Sequence, residues 1–435
     1  MGRYFFNGNW DNGSQDGAFT FNVNNASSNS NTNIGFRVAN NRTARRRNSY
    51  GVPSSAYLFG SAVLPVKKEN NDQNRASMSC GTEFLFLVII LVRYDNLWEK
   101  IVNFENIYDG YLEARTGRRY KAEIMNIGSR IEAIIYQMIF ELNTGEWRPQ
   151  QYYEFECRTE VKRRIINAPT FRDRVFHHAL VRVVKELFER KFIYDSYACR
   201  DGKGTHKAVF RLQNFMRRAA RQGEHVYILQ CDISKYYPSI DHDVLKQQIR
   251  RTIKDRRLLE AWDRLIDGFN GDTEKGLPIG ALTSQLCANI YLNDLDHFAK
   301  ECIRSKYYLR YMDDFIFVST DKEELQRILA DVRWFVECQL KLKLNPKTQI
   351  FPASHGVDFA GYRTFTSHIL PRKRNVKAAK IRFKDISYQY RHGKASIEDA
   401  RARVASFLGY TKHCRARKTT ESTLRWLVLS KGGNK

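Results

Sequence analysis

Two adjacent acids carry the densest chemical signal in this chain. Asp313 and Asp314 sit in Tyr311-Met312-Asp313-Asp314-Phe315, with Tyr307, Tyr308 and Leu309 ahead of them and Ile316, Phe317 and Val318 behind. Paired carboxylates at a tight turn between apolar runs are costly unless water, basic partners or a cation compensate them. A third acid, Asp232, follows the apolar run Val226 to Cys231 and precedes Tyr236 and Tyr237. If the two runs form neighbouring strands, Asp232 and Asp313 meet at one sheet edge. There they could bridge two Mg²⁺ ions about 3.5–4 Å apart, the arrangement for in-line phosphoryl transfer. Hard Mg²⁺ suits such oxygen ligands and takes water and phosphate oxygens for the rest of its shell. A lone Asp at a strand end is most simply a turn cap; the paired arrangement favours the metal.

Two glycine-bearing stretches could hold the other reactant. Gly276-Leu277-Pro278-Ile279-Gly280-Ala281-Leu282-Thr283-Ser284-Gln285 leads into an amphipathic segment through Leu286, Ile290, Leu295 and Phe298. Small residues ahead of a helix let a nucleotide or template strand approach the backbone; an ordinary loop and cap would look the same. In Tyr197-Ala198-Cys199-Arg200-Asp201-Gly202-Lys203-Gly204-Thr205-His206, Arg200 and Lys203 lie in a loop able to wrap a triphosphate. Basic glycine loops are common, so this signal is weak by itself.

Positioning these groups requires strands and helices in alternation. Val226 to Cys231 and Tyr307 to Val318 read as strands, the second broken by a turn at the two acids. Three- and four-residue apolar spacing predicts helices over Ile124 to Leu142 and Arg174 to Arg190. The mixture indicates an α+β or mixed α/β domain from Arg93 onward, and Asn375 to Lys435 is helix-prone and basic.

Composition narrows the partners. The 435 residues hold 72 Lys and Arg against 47 Asp and Glu, a net charge of +25. Such a balance suits a polyanion, nucleic acid first, although an acidic membrane surface would also fit. The longest apolar run, Phe84 to Val92, is roughly half the ~20 residues of a membrane-spanning helix. The eight cysteines form no C-x-x-C pair, and are expected to be reduced thiols in a cytoplasm. No secretory signal is visible at the start. Asn recurs at positions 7, 9, 12, 22, 24, 25, 29, 31, 33, 40, 41 and 48, with few aliphatic side chains. On composition alone, residues 1–50 read as a disordered polar tail and 51–92 as a linker.

Taken in order, the motifs resemble the fingers and palm of reverse transcriptases over roughly residues 93–370. The matching elements are the strand with Asp232, Leu277-Pro278-x-Gly280, Tyr311-x-Asp313-Asp314, Lys347 in Leu344-Asn345-Pro346-Lys347-Thr348, and the turn Phe359-Ala360-Gly361-Tyr362. More narrowly, Ile279-Gly280-x-x-x-Ser284-Gln285 resembles the signature of diversity-generating retroelement reverse transcriptases, most other reverse transcriptases having Gln where Ile279 stands. The runs Ala168-Pro169-x-Phe171-Arg172-Asp173-Arg174-Val175-x-His177-His178-Ala179 and Phe192-Ile193-x-Asp195 through His206 resemble the same group.

The resemblance implies an α+β right-hand polymerase: fingers over 93–225, a palm with an antiparallel sheet over 226–370, and a short basic helical thumb over 371–435. It implies RNA-directed DNA synthesis, with Asp232 and Asp313 on two Mg²⁺ ions (Mn²⁺ as a substitute) and Asp314 in support. Arg200 and Lys203 would clamp the deoxynucleoside triphosphate, with Ile279, Gly280, Ser284 and Gln285 lining its site and Lys347 assisting the leaving pyrophosphate. Tyr237 would stack under the sugar and exclude a 2′-hydroxyl, core packing being the plain alternative. Phe359, Gly361 and Tyr362 would form the primer grip. The partners implied are template RNA, cDNA and a basic helical accessory variability determinant, in the cytoplasm of a bacterial, phage or archaeal host, with no membrane. The Asn-rich segment looks like a translated template repeat, so residues 1–92 are expected to be an over-extended reading frame with Val92 an alternative start; the disordered tail remains the other reading. A retron or group II intron enzyme is the rival within the class, and a non-catalytic RNA-binding protein the rival outside it.

Overall fold

The apolar runs around the paired acids pair with one another as a sheet. A computed structural model describes residues 93–157, 164–269 and 273–430; the readings of residues 1–92 as leader and linker lie outside these. Four helices come first, α1 (Trp98–Ile101), α2 (Phe104–Ala114), α3 (Ala122–Gly128) and α4 (Ile131–Thr144), then a two-stranded antiparallel ribbon of β1 (Tyr153–Cys157) and β2 (Arg164–Ala168). Next are α5 (Phe171–Glu189), α6 (Thr205–Ala219), β3 (Tyr227–Asp232), α7 (Tyr236–Ser239), α8 (His242–Arg250), α9 (Arg256–Asp267) and α10 (Leu282–His297). The hairpin β4 (Tyr308–Tyr311) and β5 (Asp314–Ser319), α11 (Lys322–Trp334) and β6 (Gln349–Pro352) complete the central elements. Three short strands, β7 (Val357–Phe359), β8 (Tyr362–Thr364) and β9 (Ile369–Pro371), precede α12 (Lys373–Arg391), α13 (Ile397–Thr411) and α14 (Arg417–Leu424).

The central sheet has the order β4-β5-β3-β6, and every pair in it is antiparallel. Its two faces belong to different cores. Leu229, Cys231, Tyr308, Phe315 and Phe317 point into a large cluster with α5, α9, α10 and α11. Ile228, Leu309, Tyr311, Ile316 and Val318 point into a second cluster with α6, β7, β8, α12 and α13. The period-two alternation of strands sorts these side chains, and burial on both faces explains why the strands read as continuous apolar runs. This is the right-hand polymerase architecture, an α+β fold with an antiparallel palm sheet and helices to either side.

Two helix readings change. The periodicity from Ile124 to Leu142 is not one helix: it breaks at Ser129 and Arg130 into α3 and α4. The side chain that a Cβ at Gly128 would meet is the Tyr111 hydroxyl, at 2.8 Å, so α3 ends where α2 crowds it. The helix expected through Phe298 runs to His297 and then widens into a π-helical turn, Phe298–Cys302. A second π turn, Phe335–Gln339, ends α11, and the Phe298 and Phe335 rings stack at 4.3 Å between them. Of the described cysteines, Cys231, Cys287, Cys302 and Cys414 are free thiols. Among the described residues no helix is long and apolar enough to cross a membrane.

Candidate active site

Antiparallel register brings the acids together. Asp232 closes β3 directly opposite Asp314, the first residue of β5, and residues so paired share a face, with Cβ atoms about 4.5–5.5 Å apart. Tyr311 pairs with Asp314, leaving Met312 and Asp313 as a two-residue turn. Met312 has φ 56°, the left-handed conformation that such turns require and that costs a non-glycine residue of order 1–3 kcal/mol. Three carboxylates thus meet at one end of the sheet. Burial first, and then the charges of Asp232 and Asp313, hold the Asp314 carboxyl well above the usual carboxylate range, against the pull of Gln230 and Arg372. Excess negative charge on hard oxygen donors is the chemistry that receives a divalent cation. Among the described residues no group of three or more His, Cys, Asp or Glu side chains is arranged to hold a metal ion by itself.

The turn stands on a buried support. The Arg310 guanidinium donates to Asp296 through Nε (2.8 Å) and Nη2 (2.6 Å), and through Nη1 to the carbonyl of Met312 (3.0 Å). Both side chains of this ion pair have no solvent exposure, and the Tyr308 hydroxyl also donates to Asp296 at 2.7 Å. Breaking a buried pair by removing one partner is strongly destabilising, about 3–5 kcal/mol. Sequence reading overlooked both residues; the signal was a lone Arg inside an otherwise apolar strand. Asn345 was also given no role, yet its side-chain amide donates to Asp232 Oδ2 at 2.8 Å and its backbone N–H to the Asp232 carbonyl at 2.7 Å. Gln230, two residues before Asp232 and on the same face, donates to Asp314 Oδ1 at 3.1 Å.

The basic glycine loop docks on the edge of this sheet. Arg310 N donates to the Asp195 carbonyl and Tyr197 N to the Arg310 carbonyl, at 2.9 and 3.0 Å, and the Thr205 and Tyr311 hydroxyls lie 3.1 Å apart. Within the loop the two cations differ. Arg200 is 6% exposed; its fork is committed to Glu189 and to the carbonyls of Ile193 and Ser196. It fastens the loop and presents nothing outward. Lys203 lies 3.4 Å from the Tyr194 ring centre and donates to the Tyr194 carbonyl, while burial and then Arg200 lower its pKa. Positive φ at Gly202 (68°) and Gly204 (103°), with open space where a Cβ would stand, leaves the backbone beside Lys203 approachable.

The remaining candidates divide by burial. Tyr237 is half-buried, and burial, then Cys199, Tyr236 and Asp313, push its phenol well above the ordinary range. Its hydroxyl has no hydrogen-bond partner among the described residues, and it stands beside the acids. Gly280, with φ 134°, faces the protein itself, since a Cβ there would lie 3.1 Å from the Asn167 carbonyl and from the Ile166 side chain of β2. Ile279 accepts a hydrogen bond from Asn167 N at 2.9 Å. Its side chain is half-buried, as is that of Gln285, whereas Ser284 is buried. Lys347 is exposed and its N–H donates to Asn345 Oδ1, two residues from the clamp on Asp232. Phe359 and Tyr362 are buried core residues, paired across a turn in which Ala360 (φ 43°) and Gly361 (φ 86°) are both left-handed, the type I′ geometry. The Gly361 carbonyl accepts from Asn375 and from the Tyr410 hydroxyl. The Gly361 carbonyl thus holds the turn against α12 and α13, with the Phe359 and Tyr362 side chains turned inward.

Comparison with known proteins follows the same geometry. Residues 158–364, spanning β2 to β8, match the family model described as reverse transcriptase (RNA-dependent DNA polymerase). Protein YkfC of Escherichia coli is 25% identical over 263 residues, which are 51% of this chain and 69% of that protein. Group II intron-encoded protein LtrA of Lactococcus lactis is 24% identical over 319 residues. That alignment covers 57% of this chain and about half, 52%, of LtrA. The apo telomerase of Candida tropicalis aligns with a TM-score of 0.43 at 11% identity, over 69% of this chain and 65% of that one.

Proposed function

We propose, from the premise that residues 158–364 are a reverse transcriptase domain, that the chain makes error-prone cDNA from a template-repeat RNA. The copied errors would fall at adenines and diversify the gene of a variable protein. The convergence of Asp232, Asp313 and Asp314 at one sheet edge carries the polymerase reading. In the reaction a primer 3′-hydroxyl attacks the α-phosphate of a deoxynucleoside triphosphate; the new P–O bond forms as the bond to pyrophosphate breaks. Two Mg²⁺ ions, or Mn²⁺ in their place, would stabilise the attacking and leaving oxygens when bound. Asp232 and Asp313 would hold them, with Asn345 fixing the first carboxylate and the Arg310-supported turn presenting the second. Lys203 would meet the triphosphate from a loop that Arg200 fastens, Lys347 the departing pyrophosphate, and Tyr237 the sugar. Gly280, Ser284 and Gln285 would shape the floor beneath the base pair through their contacts with β2 and α5.

Fingers over 93–225, palm over 226–370 and thumb over 371–435 are the division we adopt. Ile279 supports the mutagenic reading: an apolar side chain replaces one that could hydrogen-bond near the incoming nucleotide. Template RNA and an accessory variability determinant would be the partners, in a bacterial, phage or archaeal cytoplasm. The similarity to LtrA favours a second reading, an intron-type or retron enzyme acting in mobility or defence. Sequencing cDNA made from one RNA separates the two. Frequent errors confined to template adenines support the first, and uniformly low errors select the second.

A further inference from the structure

We propose that Gln230 is a positioning residue that couples Asp314 to the β7–β8 hairpin and, through it, to the first helix of the thumb. The inference rests on the polymerase reading for its kinetic consequence only; the coupling itself stands on geometry. Gln230 lies mid-strand in β3, paired with Ile316 of β5 and with Gln349 of β6. Its side-chain nitrogen is 3.1 Å from Asp314 Oδ1, 3.4 Å from Asp314 Oδ2 and 3.0 Å from the backbone carbonyl of Asp358. A carbonyl can only accept, so the NH₂ end must face this way, and its two protons have two destinations. One is a carboxylate at the catalytic edge; the other is the hairpin backbone. On the far side of the same residue, Asp358 Oδ2 lies 3.4 Å from Arg372 Nε, at the cap of α12. The sequence of contacts is Asp314, Gln230, Asp358, Arg372.

The Tyr311 and Phe359 rings also meet edge to face between the two sheets, at 6.3 Å, and the Gln230 amide adds a polar link. β7 and β8 form a separate three-stranded sheet with β9 and share no ladder with the central one. The Gln230 amide therefore joins two sheets at the point where alignment of primer and carboxylate has to agree. The apolar thioether chain of a methionine, similar in length, would fill the space and make neither bond.

The test uses the full chain and two readouts. In Gln230→Met, backbone amides of residues 357–364 should exchange with deuterium at least tenfold faster, while those of β4 and β5 stay at wild-type rates. In single-turnover primer extension the maximal rate should fall about ten- to a hundredfold, as expected for losing a hydrogen bond to a charged group. The KM for nucleotide and the affinity for primer–template should stay within twofold. Gln230→Glu has the same shape and puts an oxygen where the NH₂ stood, so it should fall at least as far. Arg372→Met should produce a smaller loss that does not add to that of Gln230→Met in the double variant. Unchanged hairpin exchange, a wild-type rate in Gln230→Glu, or strict additivity overturns the coupling. If Gln230→Met does not fold, Arg372→Met takes its place: faster hairpin exchange supports the coupling and unchanged exchange refutes it. A wild-type chain that extends no primer on RNA defeats the polymerase reading, while the exchange comparison still decides this one.

Discussion

At the scale of single residues, the site is an accumulation of like charge held in place by neutral and buried donors. Asp232 is held by Asn345, Asp314 by Gln230, and the turn bearing Asp313 by Arg310. Removing a carboxylate takes away stabilisation that exists only while charge is moving. Asp313→Ala or Asp232→Ala should lower primer extension at least about 10²–10³-fold. RNA affinity should barely move, because binding draws on many Lys and Arg contacts to phosphates; extension rates beside filter-binding constants check both halves. His177 gives a second prediction. It is 1% exposed and its Nδ1 shares a 2.7 Å hydrogen bond with the Thr283 hydroxyl. Burial, then the neighbouring His178, pushes its pKa down to about 3. In the unfolded chain the same ring takes a proton near pH 6.5. Stability tied to His177 is therefore complete above about pH 6.5 and is lost on acidification toward pH 3, by about 1.4 kcal/mol per pH unit. Between pH 7 and 5.5, wild type should lose about 1 kcal/mol more than His177→Gln in urea titrations. The aspartates were legible from the sequence because paired acids between apolar runs are chemically conspicuous. Their supports were not, since an Asn or a Gln two residues from an acid carries no pattern until a register is known.

Among the elements, the β4–β5 hairpin and β3 were readable because both faces of the sheet are buried, which leaves long unbroken apolar runs. β7, β8 and β9 have three residues each, too few for any alternation to register. The division of α3 from α4 was invisible for the opposite reason, as the apolar spacing continues across the break at Ser129 and Arg130, beside the close approach of Gly128 to Tyr111 of another helix. The loop before α10 was read as open to a nucleotide; what the reading did not foresee is that Gly280 rests on the β1–β2 ribbon. Gly280→Ala should cost about 1–3 kcal/mol, from the positive φ and from displacing β2, seen as a lower midpoint in thermal unfolding. On the proposed reading Ile279, beside it, is the element's lever on accuracy. Restoring a polar contact worth about 0.5–1.5 kcal/mol changes discrimination by up to roughly tenfold. Ile279→Gln should thus reduce misincorporation opposite template adenine several-fold without abolishing synthesis. Equal error spectra in the two enzymes' cDNA would remove Ile279 from the mechanism.

For the whole molecule, a net charge of +25 would make the proposed association with RNA mainly counterion release. Affinity should fall linearly in log–log salt titrations, and Lys and Arg substitutions far from the acids should lower the slope. Deleting residues 1–91 should leave melting temperature and extension rate near wild type, because their first fifty positions offer little apolar surface to any core; a drop of several degrees would show otherwise. Processive synthesis should need the accessory protein, so cDNA length on cognate RNA should rise when it is added. The junction between the last sheet and the last three helices has a mechanical corollary. β9 ends at Pro371 and α12 begins at Lys373, so a single residue, Arg372, separates them. Its N–H donates to the Tyr410 hydroxyl and its side chain pairs with Asp358, while the ring of Pro371 locks its own φ. A hinge draws on a few residues free to change φ and ψ, and here the single linking residue is tied on both its backbone and its side chain. The thumb is accordingly a crank welded to its axle: to tilt, it must twist the small sheet with it, and the torque arrives at the Asp358 carbonyl, one amide away from Asp314.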